Sequence, residues 1–111
     1  MNRELVQAWV AALRSGEYAQ GCKALHPSED EYCCLGVAHD LLVKRGEAGW
    51  VRDPGEGGVH VVDQYLPDDE AALFGLKRSQ MEYLAKANDA GESFASIADR
   101  IEAVILNGGA A

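Results

Sequence analysis

The sequence predicts an α+β fold of about four to five short helices, with one or two small β-hairpins and a C-terminal helix–turn–helix pair. Three observations lead to this prediction. The length of 111 residues suits one domain with one modest core. Apolar residues recur at helical spacing in several segments, and two β-prone runs flank a Pro/Gly-rich loop. The chain shows no internal repeat or convincing linker, so we assign residues 1–111 to one globular domain.

The first helix is predicted between Asn2, a favourable N-cap, and Gly16, a residue type that often ends helices. Apolar residues at helical spacing define its buried face, which includes Trp9 and Leu13. Arg14 falls on the opposite face. We therefore expect Arg14 to lie in solvent.

The segment after this helix is predicted to alternate between strand and helix. A short strand is predicted over Cys22–Leu25. The apolar run Tyr32–Leu35 is predicted to begin as a strand and to change into a second helix near Gly36. A helix start as early as Cys33 is also compatible with the pattern. Gly46 is the predicted end of this helix.

A hairpin is predicted in the middle of the chain. The β-prone runs Trp50–Arg52 and Val59–Val62 flank the loop Asp53–Gly58, whose proline and glycines favour a turn. A short helix follows, beginning at Pro67, because proline fits the first helical turn and acids favour its positive end. It is predicted to end near Gly75.

The last third of the chain predicts two helices joined by a turn. The first covers Arg78–Ala87, the turn Asn88–Glu92 follows, and Ser93 is the predicted cap of the second. The turn lacks the ligand spacing of a calcium loop. The buried face of the second helix repeats every three to four residues. Its members are Phe94, Ile97, Ala98, Ile101, Val104 and Ile105.

The charge of the chain bears on its partners. Lys and Arg total 10 and Asp and Glu total 18, which gives a formal net charge of −8. A surface of this sign repels phosphate backbones, and the exposed side of the last helix carries acids where a recognition helix needs cations. We therefore expect no nucleic acid partner. The sequence contains no apolar run long enough for a membrane span and no signal peptide, so we expect a cytoplasmic protein.

The cysteines and histidines suggest two kinds of chemistry that we weigh against burial. Cys22, His26, Cys33, Cys34 and His39 are metal-ligand types, but they lack the paired spacing of zinc sites, so we expect no metal and no cofactor. Thiols in apolar runs usually pack in cores.

A thiol nucleophile is the first alternative function: a cysteine-dependent hydrolase or transferase. Cys34 at a helix start would attack, His60 would be the base, and Asp63 or Asp40 would orient it. A protein that sequesters a small ligand or nucleotide is the second alternative. The glycines of 55–58 lack the strand-then-helix setting that phosphate loops need.

Two stretches of the chain carry distinctive strings. They are Trp9-x-x-Ala12-Leu13-Arg14-Ser15-Gly16-x-Tyr18-x-Gln20-Gly21 with Tyr32-Cys33-Cys34-Leu35-Gly36-Val37, and Asn88-Asp89-x-Gly91-x-Ser93-Phe94-x-x-Ile97-Ala98. Together they resemble a family of small uncharacterised proteins encoded by bacteriophages and prophages. The chain departs from that pattern at Lys77, where a capping Ser or Thr is expected. It also departs at Ser96, where Glu would complete a capping box with Ser93.

The resemblance implies a phage accessory protein in the cytoplasm of the bacterial host, and it transfers no catalytic or binding residue. Our leading hypothesis is a non-enzymatic protein that binds a host or phage protein, including one that serves a bacterial defence. The predicted binding residues are Trp50, Asp53 and Glu56 around the central loop, and Asp99 and Glu102 on the last helix. The partner and the oligomeric state stay open.

Overall fold

The computed structural model describes residues 1–22, 24–27, 30–49, 52–53, 58–59 and 65–106. Within these residues the fold is α+β, as predicted. The helices are α1 (Arg3–Ser15), α2 (Cys34–Lys44), α3 (Asp68–Leu73), α4 (Arg78–Asp89) and α5 (Phe94–Ile101), and α5 continues into a π-helical segment, Glu102–Leu106. The strands are β1 (Ala19–Gln20), β2 (Glu31–Tyr32), β3 (Arg52–Asp53) and β4 (Gly58–Val59).

Helix α1 has the boundaries that its sequence predicts. The Asn2 side chain accepts a hydrogen bond from the backbone N–H of Leu5 at 3.0 Å, which satisfies one of the donors left open at a helix start. Gly16 ends the helix with a φ of 78°, a left-handed conformation that glycine adopts without steric cost. Trp9 and Leu13 are buried, as expected.

Strands β1 and β2 form a two-stranded parallel pair, in which Ala19 lies opposite Glu31 and Gln20 opposite Tyr32. The strand predicted over Cys22–Leu25 is wrong, because Ala24 and Leu25 lie in a bend between the two strands. Two-residue strands are too short for alternating hydrophobicity to reveal them.

Helix α2 begins at Cys34, with Cys33 as its N-cap. The Cys33 sulfur accepts from the backbone N–H of Gly36 at 3.4 Å, so the earlier of the two predicted starts is confirmed. The position of Gly36 is set by close packing. A Cβ atom at Gly36 would lie 1.8 Å from the carbonyl oxygen of Leu25. Glycine is therefore needed here for helix and bend to approach each other.

Strands β3 and β4 are antiparallel, with Arg52 opposite Val59 and Asp53 opposite Gly58. This pairing agrees with the hairpin predicted around the central loop. Helix α3 then begins after Pro67, as predicted, and the chain turns at Gly75 with a φ of 68°.

Helix α4 begins with half of a capping box. The Gln80 side chain accepts from the backbone N–H of Lys77 at 2.8 Å, whereas the Lys77 side chain has no acceptor to return the bond. The helix ends at Asp89 and is therefore two residues longer than predicted, so Asn88 belongs to the helix and not to the turn.

Helix α5 is capped by the Ser93 hydroxyl, which accepts from the backbone N–H of Ser96 at 3.2 Å. The predicted C-terminal helix pair is thus present. The predicted helix over the last apolar positions changes to π-helical geometry at Glu102, and the Arg3 guanidinium donates to the Leu106 carbonyl oxygen at 3.0 Å.

The core lies where α1 packs against α2 on one side and against α5 on the other. Trp9 is fully buried and links three parts of this core. Its indole Nε1 donates to the Cys34 carbonyl oxygen at 2.9 Å, and its ring meets Phe74 edge to face, with the centroids 5.2 Å apart. Among the described residues, α1, α4 and α5 each keep an exposed face, whereas α2 is buried along nearly all of its length.

Candidate functional site

The two acids that we predicted as binding residues on the last helix lie on the surface, but each is held by a cation. The Arg14 guanidinium, on α1, contacts Asp99 at 2.6 Å and Glu102 at 2.5 Å. The hydrogen bond from Arg14 lowers the pKa of Glu102. Arg14 was expected to lie in solvent. Its side chain is 38 % exposed, and it joins α1 to α5.

These ion pairs are exchangeable. The Asp99 side chain is 74 % exposed and that of Glu102 is 40 % exposed. Exposed pairs of this kind contribute little to stability, because water and salt screen both charges. A docking partner could therefore replace Arg14 as the neighbour of either carboxylate at small cost.

An exposed aromatic residue lies on the other helix of the C-terminal pair. Tyr83, on α4, is 45 % exposed, and its hydroxyl accepts a hydrogen bond from Arg100, on α5. The Arg100 guanidinium lies 5.3 Å from the Tyr83 ring centroid and is held in turn by both carboxylate oxygens of Glu92. Hydrogen bonding from Arg100 lowers the pKa of Glu92.

We call the residues Tyr83, Glu92, Asp99, Arg100 and Glu102 the C-terminal face. Tyr83 was not predicted from the sequence as a binding residue. One signal was available, because Tyr83 falls outside the apolar repeat formed by Met81, Leu84 and Ala85. The face is not uniformly acidic: each acid that we singled out on α5 pairs with Arg14, and Glu92 pairs with Arg100.

The cysteines at the start of α2 are buried. Cys33 is 3 % exposed and Cys34 is inaccessible, with its thiol 3.7 Å from the carbonyl oxygen of Leu84. The nucleophile alternative requires the helix start to lower a thiol pKa. Burial has the larger effect and acts in the opposite direction: it raises the pKa of Cys33 to about 11 and that of Cys34 well above its usual range. Both sulfurs are therefore neutral thiols at pH 7.

A thiol-labelling experiment checks this assignment. In the native protein a maleimide reagent is expected to modify Cys22, which is exposed, much faster than Cys33 or Cys34. Mass spectrometry should show one adduct under native conditions and three after denaturation. The Cys22→Ser variant is the control, since it should remove the fast adduct. Fast labelling of Cys34 in the native protein would contradict its burial.

The other candidate ligand residues are engaged in the fold. The His26 ring stacks on Tyr32 with centroids 4.1 Å apart, and its Nδ1 lies 2.8 Å from the Glu31 carbonyl oxygen. His39 packs at the edge of the core. It is 9 % exposed, with Nδ1 2.5 Å from Glu70 and Nε2 3.1 Å from the Gly49 carbonyl oxygen. No group of three or more metal-ligand side chains is placed to hold an ion among the residues that the structure describes.

One of the other predicted site residues lies within the described part of the chain, and four lie outside it. Asp53 lies in β3, whereas Trp50, Glu56, His60 and Asp63 lie outside the described residues. Within the described part of the chain, no helix is both long and apolar enough to cross a bilayer.

The chain was compared with known proteins. No curated protein and no solved structure matches it. Residues 1–72 match a family described as a domain of unknown function, DUF8296. The matched part runs from α1 into α3, so it contains both strand pairs and α2, while α4 and α5 follow it. The match covers more than half of the chain, and this protein therefore belongs to the DUF8296 family.

Proposed function

We propose that this protein is a non-enzymatic phage accessory protein that acts in the host cytoplasm by binding a host or phage protein through the C-terminal face. The observation that carries the proposal is the exposed ring of Tyr83, held in place by Arg100. The phage origin rests on the residue strings that resemble phage-encoded proteins. Inhibition of a bacterial defence protein is one form that such binding would take.

The Tyr83–Arg100 pair has the chemistry of a binding anchor. Tyrosine and arginine are the residue types, with tryptophan, that most often dominate the binding energy of protein interfaces. An exposed side chain usually loses rotamer freedom when it binds. Here the hydroxyl contact with Arg100, and the two bonds from Arg100 to Glu92, restrict both side chains before any partner arrives. The ordering cost of binding is therefore reduced.

The partner that fits this face presents an apolar pocket beside positive charge. The pocket would take the Tyr83 ring, and basic side chains elsewhere on the partner would compete with Arg14 for Asp99 and Glu102. The net charge of −8 favours the approach of such a surface over long distances.

Affinity capture from bacterial lysate tests the proposal. The wild-type protein is expected to recover a partner, and the Tyr83→Ala variant should bind that partner about 30-fold more weakly, the effect typical of an interface anchor. Gln7→Ala is the matched control, because Gln7 is exposed on α1 and its loss should leave affinity unchanged. Affinities are measured by titration calorimetry on the purified partner.

Two outcomes would contradict the proposal, at different levels. Equal affinity of the wild-type and Tyr83→Ala proteins would exclude the C-terminal face as the docking surface. Turnover of a substrate by the purified protein, with no partner recovered, would exclude a non-enzymatic binding role.

A further inference from the structure

A second group of polar and aromatic residues lies where the strands β1 and β2 meet α2. We call Tyr18, His26, Tyr32, Asp40 and Lys44 the Tyr18 cluster. The Tyr18 and Tyr32 rings meet edge to face with centroids 5.0 Å apart, and Tyr32 stacks on His26. This cluster belongs to the part of the chain that matches the family, and it has no role in the C-terminal face.

The Tyr18 cluster already holds a positive charge. The Lys44 ammonium lies 4.9 Å from the centroid of the Tyr18 ring, 2.8 Å from its hydroxyl oxygen and 3.6 Å from the Asp40 carboxylate. The Tyr18 hydroxyl donates to Asp40 at 2.6 Å, so its lone pairs are directed to the cation. An aromatic face, a phenol oxygen and a carboxylate are three groups that each attract a cation.

The groups that contact the cation are largely buried, whereas the side chain that carries the cation is mostly exposed. Asp40 is 8 % exposed, and Tyr18 and Tyr32 are half-buried. Burial, together with the hydrogen bond to Asp40, raises the pKa of Tyr18 to about 12, so the phenol stays neutral and keeps its proton on the carboxylate side. The Lys44 side chain, by contrast, is 60 % exposed on a flexible four-carbon stem. It can leave without disturbing the core.

We propose that Tyr18 and Asp40 form a binding site for an arginine side chain of a partner protein, which takes the position of the Lys44 ammonium. Arginine suits the site better than lysine does. Its planar guanidinium carries five N–H donors, so it can bond to the phenol oxygen and to the carboxylate together, and it is less strongly hydrated than an ammonium. Exposed acids next to the two tyrosines in the chain, Glu17 and Glu31, add to the attraction for a basic segment.

The site is tested by NMR titration of the full chain with a capped Gly-Arg-Gly tripeptide. The Tyr18 and Tyr32 ring signals are expected to shift, whereas the citrulline analogue, which is neutral and of the same shape, should leave them in place. The Lys44→Ala variant should bind the arginine peptide at least about threefold more tightly than wild type, because the internal competitor is gone.

Lys77→Ala is the matched control, since it removes another exposed lysine and the same charge at the start of α4, outside the cluster. It should change affinity by less than about 1.5-fold, the effect of one remote, screened charge. Asp40→Asn or Tyr18→Leu, each combined with Lys44→Ala, should abolish the shifts. Equal gains in the two lysine variants, or binding of the citrulline peptide, would overturn the proposal. These results do not depend on the C-terminal face, so the two proposals stand or fall separately.

Discussion

Replacing Gly36 by alanine is expected to lower the free energy of unfolding by about 3 kcal/mol or more. A methyl group at this position would lie 1.8 Å from the Leu25 carbonyl oxygen and 2.7 Å from its carbonyl carbon. Both contacts are with backbone, which cannot rotate away as a side chain can. Helix α2 or the bend before β2 must therefore move, and this would stretch the 3.1 Å hydrogen bond from the Cys33 N–H to the same oxygen.

The direction of this effect makes the experiment decisive. Alanine is favoured over glycine inside a helix by about 1 kcal/mol, so helix propensity alone predicts that Gly36→Ala stabilises the protein. Urea denaturation of the two proteins measures the difference. Gly49→Ala is the control: none of the described atoms beyond its chain neighbours lies within 4 Å of the added Cβ, and its carbonyl can still accept from His39. A Gly36→Ala protein as stable as wild type would show that helix and bend are not in contact.

The features that sequence predicted well are those that depend on a few adjacent residues. Asn2 and Ser93 occupy the N-cap positions that their side chains favour, and each accepts from the backbone N–H three residues on. Gly16 ends α1 in the left-handed conformation that glycine favours. The buried face of α5 follows from its apolar repeat in the same way. Because these signals are local, the α+β class and the helix pair could be predicted without knowledge of the tertiary structure.

The features that sequence did not predict depend on residues far apart in the chain. Arg14 and Asp99 are 85 positions apart, and neither has a local pattern that indicates the other. Gly36 was taken as a point of change between strand and helix, whereas its role is to admit the Leu25 carbonyl. The same reason explains why only part of the candidate site was predicted. Asp99 and Glu102 were predicted because the helical pattern places them on an exposed side of one helix. The contact between Tyr83 and Arg100 joins two helices, so no local pattern indicates it.

Asn88 is the clearest case of a local interpretation replaced by a long-range one. Its residue type suited a turn, but the side chain is 2 % exposed within α4 and connects three segments. Its Nδ2 donates to the Gly21 carbonyl oxygen at 2.8 Å, and its Oδ1 accepts from the Cys34 backbone N–H and from Gln20 Nε2, both at 3.1 Å. The Gln20 side chain continues the network to the Glu92 carbonyl oxygen and the Phe94 N–H. The two distinctive residue strings of the sequence, which contain Gln20 and Cys34 on one side and Asn88 on the other, thus meet at one buried amide.

The Asn88→Ala variant is expected to lose about 4 kcal/mol of stability. The substitution removes three hydrogen bonds and leaves the Gly21 carbonyl and the Cys34 N–H without their partner in a site that excludes water. Such a loss is a large fraction of the roughly 5–15 kcal/mol that stabilises a typical domain. Ser79→Ala, an exposed change on the same helix, should cost less than about 0.5 kcal/mol. Thermal unfolding followed by circular dichroism compares the two, and equal melting temperatures would contradict the network.

The Asn88→Asp variant separates the hydrogen bonds from the volume of the side chain, because the two residues have nearly the same shape. One oxygen of the new carboxyl group still accepts from Cys34 and Gln20, but the other replaces Nδ2 and faces the Gly21 carbonyl oxygen. Two acceptors then repel each other unless the carboxyl group is protonated and donates. Burial and this repulsion raise its pKa in the folded state above the value of about 3.9 in the unfolded chain. The variant should therefore be most stable at low pH and lose stability, relative to wild type, as the pH rises through 4 and beyond. A stability difference that is independent of pH would show that Asn88 Nδ2 does not face the Gly21 carbonyl.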